Sequence, residues 1–161
     1  FGVCGGYQMM GRTIADPEEV EASGVTEING MGLLEMDTVF RGEKVQTQVK
    51  GIFEGVSGLL EGLNGLEYEG YEIHMGRSEE KLPPLMGGDT VYGSYIHGIF
   101  DAPGITDTIL KAVCTSKGID YDALGTFDVR EYKERQYDLL ADAVRSGMDM
   151  DYVYRVLNRE V

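Results

Sequence analysis

The sequence is poor in the residues that build metal clusters, disulfide frameworks and nucleic-acid surfaces. Its 161 residues include two cysteines, two histidines, four prolines and no tryptophan. Two cysteines cannot form a disulfide framework or a four-cysteine zinc site, and we predict no metal site. Acidic residues number 28 against 14 basic ones, a net charge of −14, which argues against a nucleic-acid partner because phosphate binding needs clustered Lys and Arg.

Long apolar runs are also missing. No segment reaches the roughly 18 residues that a membrane-spanning helix needs, so we predict no membrane partner, and the low cysteine content favours a reducing, cytoplasmic setting. Hydrophobic residues make up 42% of the chain, which is enough for the core of one domain. Glycine is abundant, with 23 residues, and indicates many tight turns and close backbone approaches.

The hydrophobic pattern is strand-like in the first two thirds of the chain and helix-like in the last third. The first part predicts a helix over 7–14, an acidic surface loop over 18–30, and strands over 32–40, 44–50, 66–75 and 90–96. Helical stripes follow over 105–113 and 129–144, and Asp149 is the expected N-cap of a third helix. Strands mixed with helices favour a layered α/β domain with a helical C-terminal tail.

The segment Gly2–Gly6 places Cys4 between small residues, after a short apolar strand and before a helix. A nucleophile on such a sharp strand–helix turn needs small neighbours, and the first N–H groups of the helix stabilise a thiolate. We therefore predict that Cys4 is a nucleophile and that the N–H of Gly5 faces a developing oxyanion. The alternative is a buried cysteine in a glycine-rich turn.

A thiolate nucleophile needs a base, and the chain has two histidines, His74 and His97. Both lie in β-type runs with glycine neighbours. From spacing alone, either could pair with Cys4, and either could be a hydrogen-bonded structural histidine. Cys114 lies on an apolar helical stripe and is expected to be a small core residue.

The run Gly2–Gly11 resembles the nucleophile motif of the class I glutamine amidotransferases, and is most similar to their cobyric acid synthase branch. The similarity continues in order through 13–17, 30–34, 70–76 and 93–101. It implies a class I amidotransferase fold, in which helices cover a flavodoxin-like layered sheet. It also implies that Cys4 forms a glutamyl thioester, that His97 shuttles protons, and that Gly5 donates one oxyanion hydrogen bond.

The same resemblance implies further roles around the substrate. Gln8 and the block that contains Tyr71, Glu72 and His74 would line the glutamine pocket. Many members of the class carry a glutamate two residues after the histidine, where this sequence has Ile99. Cobyric acid synthase-like members also lack that glutamate, so the group that orients His97 is left open.

The resemblance implies a glutaminase domain that supplies ammonia for the ATP-dependent amidation of adenosylcobyrinic acid a,c-diamide in cobalamin synthesis. Family members carry upstream strands with a second oxyanion donor, and further upstream a synthetase domain that uses ATP and Mg²⁺. This sequence begins at the nucleophile strand and has no Gly-x-x-x-x-Gly-Lys-Ser/Thr motif. We therefore expect residues 1–161 to be one N-terminally truncated domain that itself needs no cofactor.

Its partners would be glutamine and, together with the missing synthetase domain, the corrinoid acceptor. Losing one oxyanion donor typically costs ~10²–10³ in turnover, so we expect low activity from the piece alone. Two other functions stay open. One is the glutaminase subunit of a lipid II amidating ligase of the cell wall, which shares the Cys-Gly-Gly motif. The other is a non-catalytic docking domain of the same fold.

Overall fold

The computed structural model describes residues 1–78, 82–102, 104–124 and 129–160. The chain divides into two compact units, Phe1–Ala123 and Leu124–Val161. Every residue of the candidate site lies in the first unit. In the part of the chain that is described, no helix is both long and apolar enough to cross a membrane.

The first unit contains two small sheets, each of which mixes parallel and antiparallel pairs. The strands are β1 Gly2–Val3, β2 Thr13–Ala15, β3 Glu27–Asn29, β4 Asp37–Ile52, β5 Glu67–Arg77, β6 Met86–Gly88 and β7 Val91–Ser94. One sheet has the order β1-β7-β6, and the other has the order β3-β2-β4-β5. β1 runs parallel to β7, and β2 runs parallel to β4, while the other pairs are antiparallel.

The helices agree with the predicted change of character along the chain. The α-helices are α1 Gly5–Met9, α2 Ile105–Lys117, α3 Val129–Gly147 and α4 Met150–Leu157, with 3₁₀ turns at Gly58–Leu63, Ile99–Asp101 and Asp122–Leu124. Asp149 caps α4 as predicted, because its carboxylate accepts a hydrogen bond from the N–H of Tyr152 at 3.0 Å. The α/β class is therefore confirmed, with helices α3 and α4 as the C-terminal tail.

The predicted helix over 7–14 is wrong in extent. α1 begins at Gly5 and ends at Met9, and Ile14 lies in β2, where it pairs with Ile28 of β3 and Thr38 of β4. The chain turns at Gly11, where a Cβ atom would lie 2.6 Å from the carbonyl oxygen of Met36. Strand pairing on both sides of β2 outweighs the local helical pattern.

The predicted strands over 32–40 and 44–50 form one strand instead. β4 runs from Asp37 to Ile52 alongside β5, and an irregularity in the pairing falls between Phe40 and Val45. Residues 32–36 of the predicted strand are not a strand, because the N–H groups of 31–34 donate to the carbonyls of Met9, Met10 and Gly11.

The main core lies between the 3₁₀ turn at Gly58–Leu63, β7 and α2. Its buried members are Phe53, Val56, Leu60, Leu63, Leu85, Tyr92, Ile96, Ile99, Ala102 and Ile105. The glycine-rich stretch 52–65, which the sequence pattern leaves unassigned, supplies four of them. On α2, Cys114 is buried as predicted, but Leu110 and Val113 of the expected stripe are exposed.

A second buried cluster supports α1 and consists of Tyr7, Met10, Leu34, Met36 and Tyr95. The Tyr7 ring is fully buried and meets the Tyr95 ring edge-on, with centroids 5.0 Å apart. It also lies directly over Gly93 of β7, where a Cβ atom would overlap three ring atoms. The absence of a side chain at position 93 therefore lets α1 pack onto the sheet.

We expect Gly93→Ala to lower the free energy of unfolding by about 1–3 kcal/mol, because overpacking a filled core forces rings and backbone apart. Urea unfolding followed by circular dichroism measures the change. Gly6→Ala is the matched control, since a Cβ at Gly6 meets nothing within 4 Å. Equal stability of the two variants would contradict the packing described here.

Candidate functional site

Cys4 lies on a strained turn between β1 and α1. Its N–H donates to the carbonyl of Ser94 at 2.9 Å, which continues the β1–β7 pairing by one residue. Its backbone angles are φ 51° and ψ −113°, a conformation that side-chain-bearing residues rarely adopt. The predicted sharp turn at the cysteine is therefore present in the structure.

The small neighbours of Cys4 have two different roles. A Cβ at Gly2 would lie 2.5 Å from the sulfur of Met10 and 2.8 Å from the nitrogen of Tyr7, so crowding does require glycine there. A Cβ at Gly5 or Gly6 would meet nothing within 4 Å. Steric crowding, which the sequence argument assumed for all three positions, therefore explains only Gly2, and the space beside Gly5 and Gly6 is open.

Cys4 opens onto a cavity of about 420 Å³, which we name the thiol cavity. This volume lies within the range of roughly 300–1,000 Å³ that is typical of ligand pockets. Its lining residues are Cys4, Gly5, Gln8, Glu21, Phe40, Lys44, Ile73, His74 and Met75. The first N–H groups of α1 have no intrahelical acceptor, and the N–H of Gly5 is one of them.

One edge of β5 holds both Cys4 and His97. Tyr71 and His97 exchange two backbone hydrogen bonds, of 3.1 and 2.8 Å, in an isolated antiparallel bridge. Two residues further along the strand, the Cys4 thiol donates to the carbonyl oxygen of Ile73, with 3.7 Å between sulfur and oxygen. Two residues of a strand span about 6–7 Å, so the thiol and the histidine are attached to neighbouring positions of one edge.

The His97 ring is held on one face and has a free ring nitrogen. It stacks on the Tyr71 ring, with centroids 5.0 Å apart and an angle of 8° between the planes. Its Nε2 atom is buried and has no hydrogen-bond partner among the described residues. In the structure the thiol bonds to Ile73 and not to this nitrogen, and His97 does not line the thiol cavity.

The His74 ring uses both of its nitrogens in the fold. Nδ1 lies 2.6 Å from the carbonyl oxygen of Gly76, and Nε2 lies 3.3 Å from a carboxylate oxygen of Glu72. The ring is only 7% exposed and stacks on Tyr95 at 3.9 Å between centroids. Because both partners are hydrogen-bond acceptors, His74 has no free nitrogen with which to take a proton from a thiol.

Gln8 is buried in the wall of the thiol cavity and is held in place on two sides. Its amide Nε2 donates to the hydroxyl of Tyr95 at 3.4 Å, and burial raises the pKa of that hydroxyl. A Cβ at Gly76 would overlap the same amide nitrogen. Glycine at position 76 therefore lets β5 pass close to the Gln8 side chain.

The structure separates the residues expected around the substrate. Four of them line the thiol cavity: Cys4, Gly5, Gln8 and His74. The Tyr71 ring instead stacks on His97. Glu72 and His74 line a second cavity of about 390 Å³, together with Val49, Tyr68, Arg77, Ser78, Leu82, Pro83, Pro84, Tyr95 and Ile96. The described residues contain no group of three or more His, Cys, Asp or Glu placed to hold a metal ion.

Sequence reasoning missed the charged residues at the thiol cavity. Lys44 reaches it from the irregular part of β4, and Glu21 reaches it from the loop before β3. Neither lies in a recognisable motif, and the acidic pattern around Glu21 predicts a surface loop. Only the folded arrangement brings a cation and an anion to the same cavity.

The loop that carries Glu21 is organised by Asp16. The Asp16 carboxylate is buried and accepts hydrogen bonds from the N–H groups of Val20, Glu21 and Ala22, at 2.7, 2.8 and 3.0 Å. Burial by itself would raise the pKa of Asp16, but the three donors outweigh it and leave the pKa below its ordinary value. The ionised carboxylate thus fixes the wall of the cavity.

The chain is similar to a known domain family and to several whole enzymes. A family model described as the CobB/CobQ-like glutamine amidotransferase domain matches residues 1–105. A cobyric acid synthase from Lachnoclostridium phytofermentans is 44% identical over 186 residues, covering 100% of this chain and 36% of that protein. The cobyric acid synthases from Ruminiclostridium cellulolyticum and Dehalococcoides mccartyi are 43% and 41% identical to this chain. Each of these matches covers 100% of this chain and 35% of the relative. The chain thus spans little more than a third of these relatives.

We expect Asp16→Asn to destabilise the protein at neutral pH, because an amide cannot accept the three N–H bonds as an ionised carboxylate does. The lowered pKa means that Asp16 stabilises the fold fully above its unfolded value of 3.8, and that this stabilisation is lost as pH falls through the folded value. Thermal unfolding should therefore give Asp16→Asn a lower melting temperature than the parent protein at pH 7. This difference should shrink as the pH is lowered to 3.

Glu27→Gln is the control for this pH series, because Glu27 is an exposed carboxylate on β3. It should follow the parent protein at every pH. An Asp16→Asn variant that matches the parent at pH 7 would contradict a role for Asp16 in ordering the loop.

Proposed function

The chain belongs to the CobB/CobQ-like glutamine amidotransferase domain family, and from that premise we propose that it hydrolyses glutamine to release ammonia, with Cys4 as nucleophile and His97 as base. The observation that carries the proposal is the edge of β5 that does not pair with β4. The Cys4 thiol bonds to Ile73 there, and His97 bonds to Tyr71 two residues away. A strained cysteine, an open cavity and a histidine with a free nitrogen form the minimal set for nucleophilic hydrolysis of an amide.

The proposed reaction has two stages. The Cys4 thiol leaves Ile73 and gives its proton to Nε2 of His97, and the sulfur attacks the side-chain carbonyl carbon of glutamine. The N–H of Gly5 stabilises the oxyanion. The C–N bond then breaks, ammonia leaves with the proton from His97, and a γ-glutamyl thioester remains on Cys4.

Water completes the cycle. His97 takes a proton from the water, the hydroxide adds to the thioester carbon, and the C–S bond breaks. Glutamate is released and the proton returns to the sulfur. His97 is favoured over His74 as the proton carrier because its Nε2 has no partner among the described residues, whereas both nitrogens of His74 have acceptor partners.

The charges at the thiol cavity suit the backbone end of a free amino acid. Glutamine carries an α-carboxylate and an α-ammonium group. The cavity offers one lysine, Lys44, and one glutamate, Glu21, and the buried Gln8 also lines it. We assign Lys44 to the carboxylate and Glu21 to the ammonium group, and we keep Gln8 and His74 as residues of the glutamine pocket.

For the whole enzyme, we propose that the ammonia serves a cobyric acid synthase, as in the relatives named above. The acceptor would be adenosylcobyrinic acid a,c-diamide, activated with ATP and Mg²⁺ by a synthetase portion. No P-loop motif occurs in this sequence, so no step that uses ATP is assigned to its residues. The relatives do not favour the cell-wall ligase alternative, and a cytoplasmic setting stays a prediction.

We expect the glutamine analogue 6-diazo-5-oxo-norleucine to add one mass label to Cys4. Cys4→Ser should abolish both labelling and glutamate release. Intact-mass spectrometry of this chain, and of the complete polypeptide that contains it, measures the label. Cys114→Ser is the matched control, since that thiol is buried in α2, and it should label like the parent.

Labelling that survives Cys4→Ser would contradict the assignment of the nucleophile. Two folded proteins that both resist labelling would favour the non-catalytic docking domain. Labelling of the complete polypeptide alone would show that segments outside this chain complete the site.

We expect Lys44→Gln to raise the KM for glutamine by roughly 10-fold or more, because a charge-assisted hydrogen bond contributes about 1.5–3 kcal/mol. The kcat should change little, since the α-carboxylate is remote from the bond that breaks. Steady-state glutaminase kinetics measure both constants. Lys50→Gln is the control from the same strand, and an equal KM for the two variants would contradict the role of Lys44.

A further inference from the structure

The glutaminase chemistry proposed above, on which this inference rests, needs a group that orients the His97 ring. The family resemblance described above leads us to expect a glutamate two residues after the histidine. Here that residue is Ile99, which is 2% exposed and packed in the main core. The orienting group must therefore come from elsewhere in the fold.

We propose that Tyr71 is the positioning residue of His97 and replaces the missing carboxylate. The two residues are joined at both backbone and side chain. Their main chains exchange hydrogen bonds of 3.1 and 2.8 Å, and their rings stack within 8° of parallel at 5.0 Å. The backbone bridge fixes the position of the His97 main chain, and the stacked ring fixes the plane of the imidazole.

The sequence before Tyr71 makes this approach possible. A Cβ at Gly70 would overlap the carbonyl oxygen of His97 and lie 2.6 Å from a methyl group of Ile96. Any other residue at position 70 would push the strand away from the histidine. Gly70 therefore belongs to the same arrangement, and it explains why a glycine interrupts an otherwise regular strand.

Stacking suits the chemistry as well as the geometry. When His97 takes the thiol proton it becomes a cation, and a cation over the face of a tyrosine ring is attracted by the ring's quadrupole. Within the part of the chain that the structure describes, the buried Nε2 edge has no partner, and stacking on the Tyr71 face leaves that edge available for proton transfer. A carboxylate would stabilise the same cation through a hydrogen bond, whereas the tyrosine does so through its face.

The exposure of Tyr71 separates this role from a structural one. The residue is 49% exposed and lies outside both buried clusters. Its substitution should therefore leave the fold intact. It does not line the thiol cavity, so the positioning role proposed here is an alternative to the substrate-binding role that the family resemblance implies.

The test compares Tyr71→Phe with Tyr71→Leu in the complete polypeptide. Phenylalanine keeps the stacked ring, and we expect its kcat to stay within about twofold of the parent. Leucine removes the ring, and we expect kcat to fall by roughly 10–100-fold, because a misplaced catalytic group costs rate more than binding. The KM should change by less than about threefold, and the melting temperature should be unchanged.

A second measurement needs no turnover. In NMR spectra of the complete polypeptide, the ring protons of His97 are assigned as the signals that a His97→Gln variant lacks. Stacking on Tyr71 shifts those protons through the ring current. The shift should persist in Tyr71→Phe and disappear in Tyr71→Leu.

Three results would overturn the proposal. Unchanged His97 resonances in Tyr71→Leu would mean that the rings do not stack in solution. A raised KM with unchanged kcat would return Tyr71 to substrate binding. Asp101 is a carboxylate four residues after His97 in the sequence. A loss of kcat in Asp101→Asn but not in Tyr71→Leu would transfer the positioning role to it. Loss of activity in Cys4→Ser distinguishes all three from a failure of the glutaminase proposal itself.

Discussion

The site depends on the alternation of hydrogen-bonding directions along β5. In an antiparallel pair, each second residue turns its N–H and C=O away from the partner strand. β4 pairs with one edge of β5, where Gln48 lies opposite Tyr71 and Gln46 lies opposite Ile73. Tyr71 and Ile73 turn their free groups to the other edge, where they meet His97 and the Cys4 thiol. A shift of one residue in the β4–β5 register would turn both contacts away.

The strained turn at Cys4 is stable because buried packing surrounds it. Strain of this kind persists only where neighbouring structure over-determines the backbone. Here the β1–β7 pairing ends at the cysteine N–H, and α1 begins at the next residue. The fully buried Tyr7 presses α1 against Gly93 of β7. Both sides of the turn are therefore fixed, and the thiol is held at the carboxyl edge of β1.

Local signals predicted the turn and the C-terminal helices well, because a strand–glycine–helix pattern and an Asp N-cap act within a few residues. They failed for Ile14, which pairs with strands far away in sequence. They also failed for the long β4 strand, whose two predicted parts form one strand because both pair with β5. Lys44 could not be found at all, because its place in the cavity depends on an irregularity between two paired strands.

The same reasoning explains why spacing could not choose between the two histidines. Both lie in glycine-flanked β-type runs, and the motifs give them equal standing. They differ in what the fold places around their nitrogens. The nitrogens of His74 contact the Gly76 carbonyl and the Glu72 carboxylate. The His97 ring stacks on one face, and its Nε2 contacts no hydrogen-bond partner in the described ranges. The surroundings of the two ring nitrogens thus come from the tertiary structure, and no local motif encodes them.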